Sequence, residues 1–331
     1  MPRIRTVLAR AMLSIAAAAI AVGLGAGVLH AETKFPERPV RVVLPFGPGG
    51  VADVTMRLIA QKLSERMGQN FFIENRPGAG GIMGAKAALT YPADGYTFYL
   101  AGNGTAISQT LFKSLPYSIV TDFVPAAFLA QFDMLLAAKA DSQLDTVQKV
   151  VAYAKENPGK LNFGTVAPGS TQNLSAELFK LVAGSKATIV TYRTTPELAT
   201  AIVRGDINVG FDYLAAFRPS LIGKQIKIIA TGGENRHEEL PNVPTVKESG
   251  YPEFVVASLN ALQAKKGTPP EIIRKLNAEI NAVNQLPEIK SRMAELGLQP
   301  LSGTPEQLGQ RMAFEIKRWA KVIETAGVPR K

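Results

Sequence analysis

The sequence lacks cysteine and carries only two histidines among its 331 residues. The absence of cysteine excludes disulfide bonds, thiolate metal sites and lipid attachment to a thiol. His30 lies in a segment that we expect to be cleaved, which leaves His237 as the one histidine of the mature chain. His237 sits in the polar run GENRHEEL, where we expect an exposed side chain. A Ser-His-Asp or Cys-His arrangement would depend on this single surface ring, which argues against those enzyme classes.

Common motifs of hydrolytic and nucleotide-binding enzymes are also missing. We find no G-x-S-x-G, no H-E-x-x-H and no G-x-x-x-x-G-K-[ST]. In NRPGAGGIMG, Gly78, Gly80 and Gly84 are spaced G-x-G-x-x-x-G, which misses the dinucleotide fingerprint by one residue, and Asp94 downstream is typical of a turn. A pair of carboxylates acting as acid and base stays open, although nothing in the sequence favours it.

The N-terminus is typical of an export signal. Three arginines precede an apolar run over residues 11–29, and the small residue Ala31 follows. This order predicts a signal peptide over residues 1–31, cleaved near Ala31. The alternative is a membrane anchor, because the run nearly reaches the ~20 residues that a spanning helix needs. The richness of the run in alanine and glycine favours cleavage, and we expect an exported, soluble mature protein.

The formal net charge is +10, and three of the basic residues lie within the predicted signal peptide, which leaves +7 on the 300 residues after Ala31. This surplus is spread along the chain without a Lys/Arg block, so we expect no nucleic-acid partner. A modest general attraction for anions follows. The length is enough for two lobes of ordinary domain size, with one large domain as the alternative.

Short apolar runs alternate with amphipathic stretches, a pattern that predicts an α/β fold. The strand candidates are residues 40–44, 71–75, 96–102, 134–139, 161–165, 188–192, 207–212 and 227–232. The helix candidates are residues 51–67, 80–90, 146–156, 171–183, 196–203, 270–284, 287–295 and 305–326. We find no internal repeat and no low-complexity linker.

Turns rich in glycine, proline and small polar residues follow several predicted strands. These turns are PFGPGG (45–50), NRPGAGG (75–81), AGNGT (101–105), TVAPGST (165–171) and TGGEN (231–235). In open α/β sheets, ligands bind beyond the carboxyl ends of the strands. We therefore expect the functional site among these turns.

Two of the turns lead directly into a predicted helix. PFGPGG, the first loop, precedes helix 51–67. TVAPGST, the second loop, precedes helix 171–183 and adds the hydroxyls of Thr165, Ser170 and Thr171. The first N–H groups of a helix lack intrahelical partners, and the helix dipole places partial positive charge there. Each loop alone is typical of an ordinary tight turn, but two of them opposed across a cleft predict binding of both ends of a dicarboxylate.

Four further side chains are candidates for the same site. Asp53 lies in the first turn of its helix, where a carboxylate suits the dipole. If Asp53 faces an anionic ligand, it should meet a donor such as a hydroxyl, an ammonium group or water. Tyr192 and Arg193 follow a predicted strand and offer a phenol and a fixed cation. Asp212, at the end of another strand, is expected to orient donors or to take part in closing the lobes.

Three motifs carry a resemblance to a known family. They are P-F-x-x-G-G-x-x-D at 45–53, E-N-R-P-G-A-G-G at 74–81 and P-A-D-G-Y-T at 92–97. The later runs LPNVPTVKESGYPEF and GTPPEIIRKLNAEI add to them. With these motifs the chain resembles the receptors of tripartite tricarboxylate transporters, also called Bug proteins, over essentially the whole expected mature sequence.

The resemblance implies a periplasmic, two-lobed receptor with a type II-like Venus flytrap fold of the α/β class and a ligand cleft between the lobes. It implies a first lobe at about 32–130, a second lobe at about 131–250 and a return to the first lobe over 251–331. It further implies a monomeric, non-enzymatic protein that binds a small carboxylate, such as a di- or tricarboxylate, without a cofactor or metal. The implied partners are membrane components of a tripartite tricarboxylate transporter or a periplasmic sensor domain.

By position, the resemblance also implies which residues contact the ligand, through backbone amides, hydroxyls and ordered water. In the first lobe they are Phe46, Gly47, Pro48, Gly49, Gly50, Asp53, Gly102, Asn103, Gly104 and Thr105. In the second lobe they are Ala167, Gly169, Ser170, Thr171 and Asp212.

The second lobe departs from the family pattern. Asn173 begins an N-L-S run where the family usually has His-Leu-Ala, and Thr191, Thr194 and Thr195 replace a proline and two glycines. Leu259 replaces a common tryptophan before a late strand. The resemblance therefore says little about which acid binds. Two other function classes stay open on the sequence alone: a cell-envelope hydrolase or lyase acting through carboxylates, and a module that binds only proteins.

Overall fold

In the computed structural model, residues 34–49 and 51–331 are described, and the predicted signal peptide over 1–31 and Gly50 lie outside them. The strands are β1 (Val40–Leu44), β2 (Phe71–Asn75), β3 (Thr97–Gly102), β4 (Phe123–Asp133), β5 (Leu135–Lys139), β6 (Asn162–Val166), β7 (Thr188–Tyr192), β8 (Val209–Asp212), β9 (Ile226–Thr231), β10 (Ala257–Lys265) and β11 (Gln299–Pro300). Each of the predicted strands is present, with shifts of one or two residues at some ends.

The helices that we number are α1 (Val51–Met67), α2 (Ile82–Thr90), α3 (Asn103–Leu111), α4 (Val147–Glu156), α5 (Thr171–Ala183), α6 (Thr195–Arg204), α7 (Leu214–Ile222), α8 (Pro270–Gln285), α9 (Pro287–Glu295) and α10 (Pro305–Thr325). A short 3-10 turn, Ala79–Gly81, precedes α2. The predicted helices are confirmed, and helix 305–326 begins at the capping box of Thr304 and Gln307, whose side chains bond each other's backbone N–H groups.

The strands form two sheets, and the fold is of the α/β class. The first sheet has the order β11-β4-β10-β3-β1-β2, and the second has the order β7-β6-β8-β5-β9. In the first sheet, β1 pairs in parallel with both β2 and β3, so these three strands end at the same edge. In the second sheet, β6 pairs in parallel with β7 and β8, which brings their carboxyl ends together in the same way. The turns expected to carry the site therefore gather at two sheet edges.

Three strands, β4, β10 and β11, were not predicted from the sequence. The first two lie inside the first sheet, and β10 is buried along nearly its whole length. Their sequences, FVPAAFLAQFD and ASLNALQAK, are rich in alanine, and the second has no β-branched residue. The intrinsic strand propensity of β4 and β10 is therefore weak. Burial between neighbouring strands decides their conformation instead. β11 has only two residues, too few for a periodic pattern.

The prediction of a turn at AGNGT was wrong, because β3 passes directly into α3 there. β3 runs through Gly102 and the helix begins at Asn103. A Cβ atom at Gly102 would collide with the carbonyl oxygen of Leu259 in β10, so the close approach of the two strands requires glycine. Because glycine disfavours helix, Gly102 and Gly104 gave no helical pattern at the start of α3. The other missed helix, α7, contains Pro219, which is rare inside helices.

The chain passes between the two sheets through segments that hydrogen-bond to each other. The N–H of Gly232 donates to Met134 O at 2.6 Å, that of Val256 to Gly232 O at 2.7 Å, and that of Met134 to Val256 O at 3.0 Å. We call these three residues and their bonds the crossover ladder. The limits expected for the two lobes, 32–130, 131–250 and 251–331, stay a prediction.

A buried ion cluster on α10 holds the returning segment of the crossover ladder. Glu315 is fully buried and accepts hydrogen bonds from Arg311 at 2.8 Å and from Arg318 at 2.5 Å. The same arginines donate to the backbone oxygens of the ladder segment, Arg311 to Ala257 and Arg318 to Val255. α10 also packs on β4 and α3, so the C-terminal helix contacts both the first sheet and the crossover. Within residues 34–49 and 51–331, we find no helix with the length and hydropathy of a membrane span.

Candidate functional site

The first loop leaves β1 and enters α1 with an open side toward solvent. Phe46, Gly47, Pro48 and Gly49 are exposed, and Phe46 retains 43% of its accessible surface. A Cβ atom at Gly47 or Gly49 would meet no atom within 4 Å, so space is free above this part of the backbone. Gly50, also predicted to contact ligand, lies outside the described residues. The described part of the loop can therefore be approached closely by another molecule.

Asp53 holds this loop in place. Its Oδ2 accepts the N–H of Gly49 at 2.9 Å, and its two oxygens accept a bidentate pair from Arg57 at 2.9 and 3.0 Å. Asn75, at the end of β2, donates to Asp53 Oδ1 at 2.9 Å and to the carbonyl of Phe46 at 3.0 Å. Asp53 is 2% exposed, and its partners are these protein donors rather than the hydroxyl, ammonium group or water expected if it faced a ligand.

The hydrogen bonds keep Asp53 ionised. Burial acts to raise the pKa of its carboxyl group, but the hydrogen bonds from Arg57, the Gly49 amide and Asn75 outweigh it and lower the pKa to about 2. The charge of Asp53 is matched by Arg57, so the pair adds no net charge beside the loop. This matters because an unmatched carboxylate here would repel an anion.

The end of β3 lies beside the first loop. Asn103 and Thr105 are buried in the first turn of α3, whereas Gly104 is exposed with open space around its Cα. The Asn103 side-chain oxygen has no donor among the described residues and is buried. Ser108, one turn later, donates to Gly80 O at 3.2 Å, so the glycine turn before α2 packs against α3.

The second loop caps α5 with Ser170. Its hydroxyl accepts the N–H of Asn173 at 3.1 Å and donates to Val166 O at 2.9 Å. The Ser170 hydroxyl, which we had expected to donate to a ligand, therefore already donates its proton within the protein. Thr165 is fully buried, and its hydroxyl lies 3.4 Å from the Asn173 amide nitrogen. The hydroxyls of Thr165 and Ser170 organise the loop, and Ala167, exposed beside them, has its N–H bonded to Tyr192 O at 3.2 Å.

The two loops share one local structure. Gly169 N–H donates to Asn173 Oδ1 at 2.9 Å, as Gly49 N–H does to Asp53. Both glycines have a φ of 80°, a left-handed conformation that favours glycine. Each follows a proline and precedes its acceptor by four residues, in the pattern P-G-x-x-x-[D/N]. The acceptors differ in charge: the second loop uses a neutral amide, Asn173, where the first uses an ionised carboxylate paired with arginine.

Asp212, at the end of β8, binds residues at the starts of three helices, α5, α6 and α7. It is 1% exposed and accepts hydrogen bonds from Gln172 at 3.0 Å, Thr195 at 2.8 Å and the N–H of Tyr213 at 2.9 Å. Burial raises the pKa of its carboxyl group above the usual range. Thr194, which takes the place of a family glycine, caps α6 by accepting the N–H of Glu197. The two threonines thus have structural roles of their own.

Tyr192 and Arg193 differ in how they are held. Tyr192 is half-buried against apolar residues between the second sheet and its helices, and burial raises the pKa of its phenol. Arg193 is exposed, and its backbone N–H donates to the Glu197 side chain at 3.1 Å. Its guanidinium has no acid partner in the described part of the chain and remains available to an anion.

Contacts near the crossover bring the two sheet edges next to each other. The hydroxyl of Tyr213, the residue after Asp212, lies 2.8 Å from that of Ser258 in β10, and its ring packs edge-on against Phe132 at 4.7 Å. A Cβ atom at Gly169 would lie 2.6 Å from Leu111, at the end of α3. The first loop and residues 102–105 thus share one edge, the second loop and Asp212 share the other, and α3 touches the second loop.

Several residues of this arrangement were missed from the sequence. Arg57 had a readable signal, since it follows Asp53 by four residues on one helix. Gln172 lies next to the second loop but carries no motif. Tyr213 and Ser258 are 45 residues apart, and only the fold brings them together.

The prediction that His237 is exposed was wrong. It is 3% exposed, and its Nδ1 accepts the N–H of Glu239 at 3.2 Å. Burial lowers the pKa of its imidazole. The charged neighbours in GENRHEEL suggested a surface position, but the segment folds back and the ring turns inward. Across the described residues, no group of three His, Asp or Glu side chains has the arrangement of a metal site.

Comparisons with known proteins agree with the fold. The family model described as "tripartite tricarboxylate transporter family receptor" matches residues 55–328. An R. palustris protein determined with adipate is 34% identical with a TM-score of 0.77, and covers 89% of this chain and 99% of its own. MatC from Rhodopseudomonas palustris with bound malate is 30% identical with a TM-score of 0.72, covering 87% and 100%.

A third structure, the periplasmic binding protein BugD, is 27% identical with a TM-score of 0.73, covering 90% of this chain and 100% of its own. These relatives are binding receptors rather than enzymes, so the hydrolase or lyase alternative is not supported. The two sheets correspond to the two lobes of the periplasmic-binding-protein fold. This chain belongs to the tripartite tricarboxylate transporter receptor family, whose members are periplasmic solute-binding proteins.

Proposed function

We propose that this chain is a receptor that captures a small carboxylate, such as a di- or tricarboxylate, in the cleft between its two lobes. The observation that carries the proposal is the pair of matching loops, in which Gly49 and Gly169 have the same φ and the same side-chain brace. The relatives determined with adipate and malate, at 34% and 30% identity, support the same ligand class.

In this proposal the backbone recognises the acid. The open N–H groups at the starts of α1 and α5 donate to the carboxylate oxygens, and the helix dipoles add partial positive charge at both ends. Asp53, Asn173 and Asp212 act as positioning residues that hold the loops through the hydrogen bonds described above. Because Asp53 is paired with Arg57 and Asn173 is neutral, neither loop presents an unmatched negative charge to the ligand.

We further propose that the receptor works outside the cytoplasm as a monomer. Residues 1–31 would direct export and be removed near Ala31. The loaded receptor would then deliver its acid to membrane components of a tripartite tricarboxylate transporter or present it to a periplasmic sensor domain. The family description supports the transporter as the first of these partners.

A thermal-shift screen tests the ligand class. The panel contains dicarboxylates, tricarboxylates, aromatic acids and amino acids, with uncharged diols of matched length as controls. A ligand at a hundredfold excess over its Kd stabilises the folded chain by about 2.7 kcal/mol, which raises the melting temperature. We expect a shift with at least one carboxylate and none with the matched diol, followed by 1:1 binding in calorimetry. A panel in which no carboxylate shifts the melting temperature would exclude the proposal.

A further inference from the structure

A polar cavity of about 330 Å³ lies away from the paired loops. It adjoins β4 and β11, at the far edge of the first sheet, whereas the first loop follows β1, on the other side of β10 and β3. We call it the seam cavity. The residues that matter for its chemistry are Gln131, Glu238, Asn284, Gln285, Lys290 and Gln299. Its volume is in the range of pockets that hold small molecules.

One buried acceptor in the wall of this cavity has no partner. Asn284 has no exposed surface, and its side-chain nitrogen donates to Leu129 O at 3.0 Å and to Leu301 O at 2.9 Å. Its Oδ1 receives no hydrogen bond from the described residues. A buried amide oxygen without a donor is unfavourable, so a donor inside the cavity would satisfy it.

The cavity also carries one cation and one anion that are not paired with each other. Lys290 donates to Gln285 Oε1 at 2.8 Å, and no carboxylate of the described chain forms an ion pair with it. Glu238 is exposed and likewise has no ion pair with a described lysine or arginine. Gln131 donates to Gln299 Oε1 at 2.9 Å, which leaves the Gln131 oxygen and the Gln299 nitrogen free.

These groups match a small zwitterion. We propose that the seam cavity binds a molecule with one ammonium and one carboxylate group, of the α-amino acid class, independently of the carboxylate cleft. An ammonium group has three N–H donors and no acceptor, which suits Glu238 and the Asn284 oxygen. A carboxylate accepts only, which suits Lys290 and the free amide nitrogen of Gln299.

The ligand would touch parts of the chain that belong to both lobes. Glu238 follows β9 of the second sheet, while Asn284 and Lys290 belong to helices that pack with the first. Beside the cavity, Arg218 of α7 donates to Ala294 O of α9 at 3.1 Å and binds Glu239 through both nitrogens at 2.9 Å. The bound zwitterion would therefore add to an existing bridge between the lobes.

Calorimetry on the mature chain tests the proposal. The probes are glycine, L-alanine and L-serine, with propionate and ethylamine as partners that each lack one charge. We expect 1:1 binding of at least one amino acid and at least tenfold weaker binding of both single-charge probes. Lys290→Met and Glu238→Gln should each weaken the amino acid at least fivefold. Lys317 is an exposed lysine of α10 outside the cavity, and Lys317→Met should leave amino-acid binding unchanged.

A second variant distinguishes the seam cavity from the cleft. Asp53→Ala removes the brace of the first loop and should leave amino-acid binding intact. If no amino acid binds, the cavity holds only water and the inference fails. If binding is lost in Asp53→Ala but kept in Lys290→Met, the amino acid occupies the cleft and the inference also fails. Both outcomes leave the thermal-shift test of the carboxylate site unaffected.

Discussion

At the scale of single residues, the two loops depend on side chains that sit behind them. Gly49 and Gly169 supply the left-handed turn, but Asp53 and Asn173 fix the direction of their N–H groups. We therefore propose that Asp53 and Asn173 influence affinity without contacting the ligand, because they hold the loops so that the open amides at the starts of α1 and α5 are already aligned for an anion.

The first prediction concerns these two braces. Asp53→Ala and Asn173→Ala should each lower carboxylate affinity roughly tenfold, since the loss of a charge-assisted or buried hydrogen bond is about 1–3 kcal/mol. Isothermal titration with the best acid of the screen measures the change. Glu65→Gln, an exposed position on α1, is the control and should bind as the unaltered chain does. Unchanged affinity in both brace variants would remove these residues from the site.

The second prediction concerns Asp133, the last residue of β4 before the crossover ladder. It is 5% exposed, and burial raises the pKa of its carboxyl group from 3.8 to about 6. A raised pKa in the folded state stabilises the fold below pH 4, and this contribution is lost as pH rises through 6. The full loss would be about 3 kcal/mol for a shift of this size.

Asp133→Asn removes this titration. Urea unfolding at pH 4.5 and 7.5 should show that the variant gains stability relative to the unaltered chain at the higher pH. Asp141→Asn changes a carboxyl group that is 75% exposed and should follow the unaltered chain at both values. If the free energy of unfolding depends on pH in the same way in Asp133→Asn and the unaltered chain, the raised pKa of Asp133 is contradicted.

At the scale of elements, the start of α5 has a structural role and is part of the proposed binding site. Ser170 caps the helix and ties it to the end of β6 through Val166. Thr146 caps α4 by the same kind of bond, accepting the N–H of Lys149, but α4 has no part in the proposed site. The two caps share the bond to a backbone N–H of the first helical turn, whereas only Ser170 also donates to the preceding strand.

The third prediction uses this pair. Ser170→Ala and Thr146→Ala should each lower the free energy of unfolding by about 1 kcal/mol through loss of the cap. Only Ser170→Ala should also weaken carboxylate binding, because it loosens the second loop. Unfolding and titration on both variants separate the effects. Equal affinity in the two would show that the second loop does not contact the acid.

The elements also show what the sequence could and could not reveal. α1 and α5 match their predicted ranges, since both have clear turn chemistry before them and regular apolar spacing. α3 could not be read from glycine-rich AGNGT, because the packing of Gly102 against β10 decides its position. Similarly, β10 is a strand through burial between β3 and β4 rather than through its own residues.

The residues of the candidate site likewise fall into those that the sequence predicted and those that it did not. The two loops were visible because glycine and proline mark turns directly. Their braces were only partly visible: the sequence offered Asp53 as a dipole partner but did not show Gly49 or Asn75 as its donors. The inward turn of His237 and the Tyr213–Ser258 contact depend on distant parts of the chain, and no local pattern encodes them.

At the scale of the whole molecule, the ion cluster on α10 connects the C-terminal helix with the passage between the lobes. Arg311 and Arg318 bind the backbone of the returning segment, and Glu315 between them has no exposed surface. The crossover ladder is thus supported from one side by charged groups that are largely removed from water.

The fourth prediction tests this support. Glu315→Gln leaves two arginines without their shared carboxylate and should lower the free energy of unfolding by roughly 3 kcal/mol, because Arg318 is mostly buried. Glu295→Gln breaks an exposed pair with Arg292 and should change it by less than about 1 kcal/mol. Denaturant unfolding of both variants provides the comparison. Equal stability would show that the cluster does not hold the crossover.

The strand order has a consequence for how the chain is assembled. The second sheet is built from one continuous stretch, β5 to β9, and is complete once residue 231 has been made. The first sheet needs β10 to join β3 to β4, and it receives its last strand only at residues 299 and 300. Contacts so far apart in sequence form slowly. The first sheet, which contains the first strand of the described chain, can therefore be completed only after every strand of the second sheet has been made.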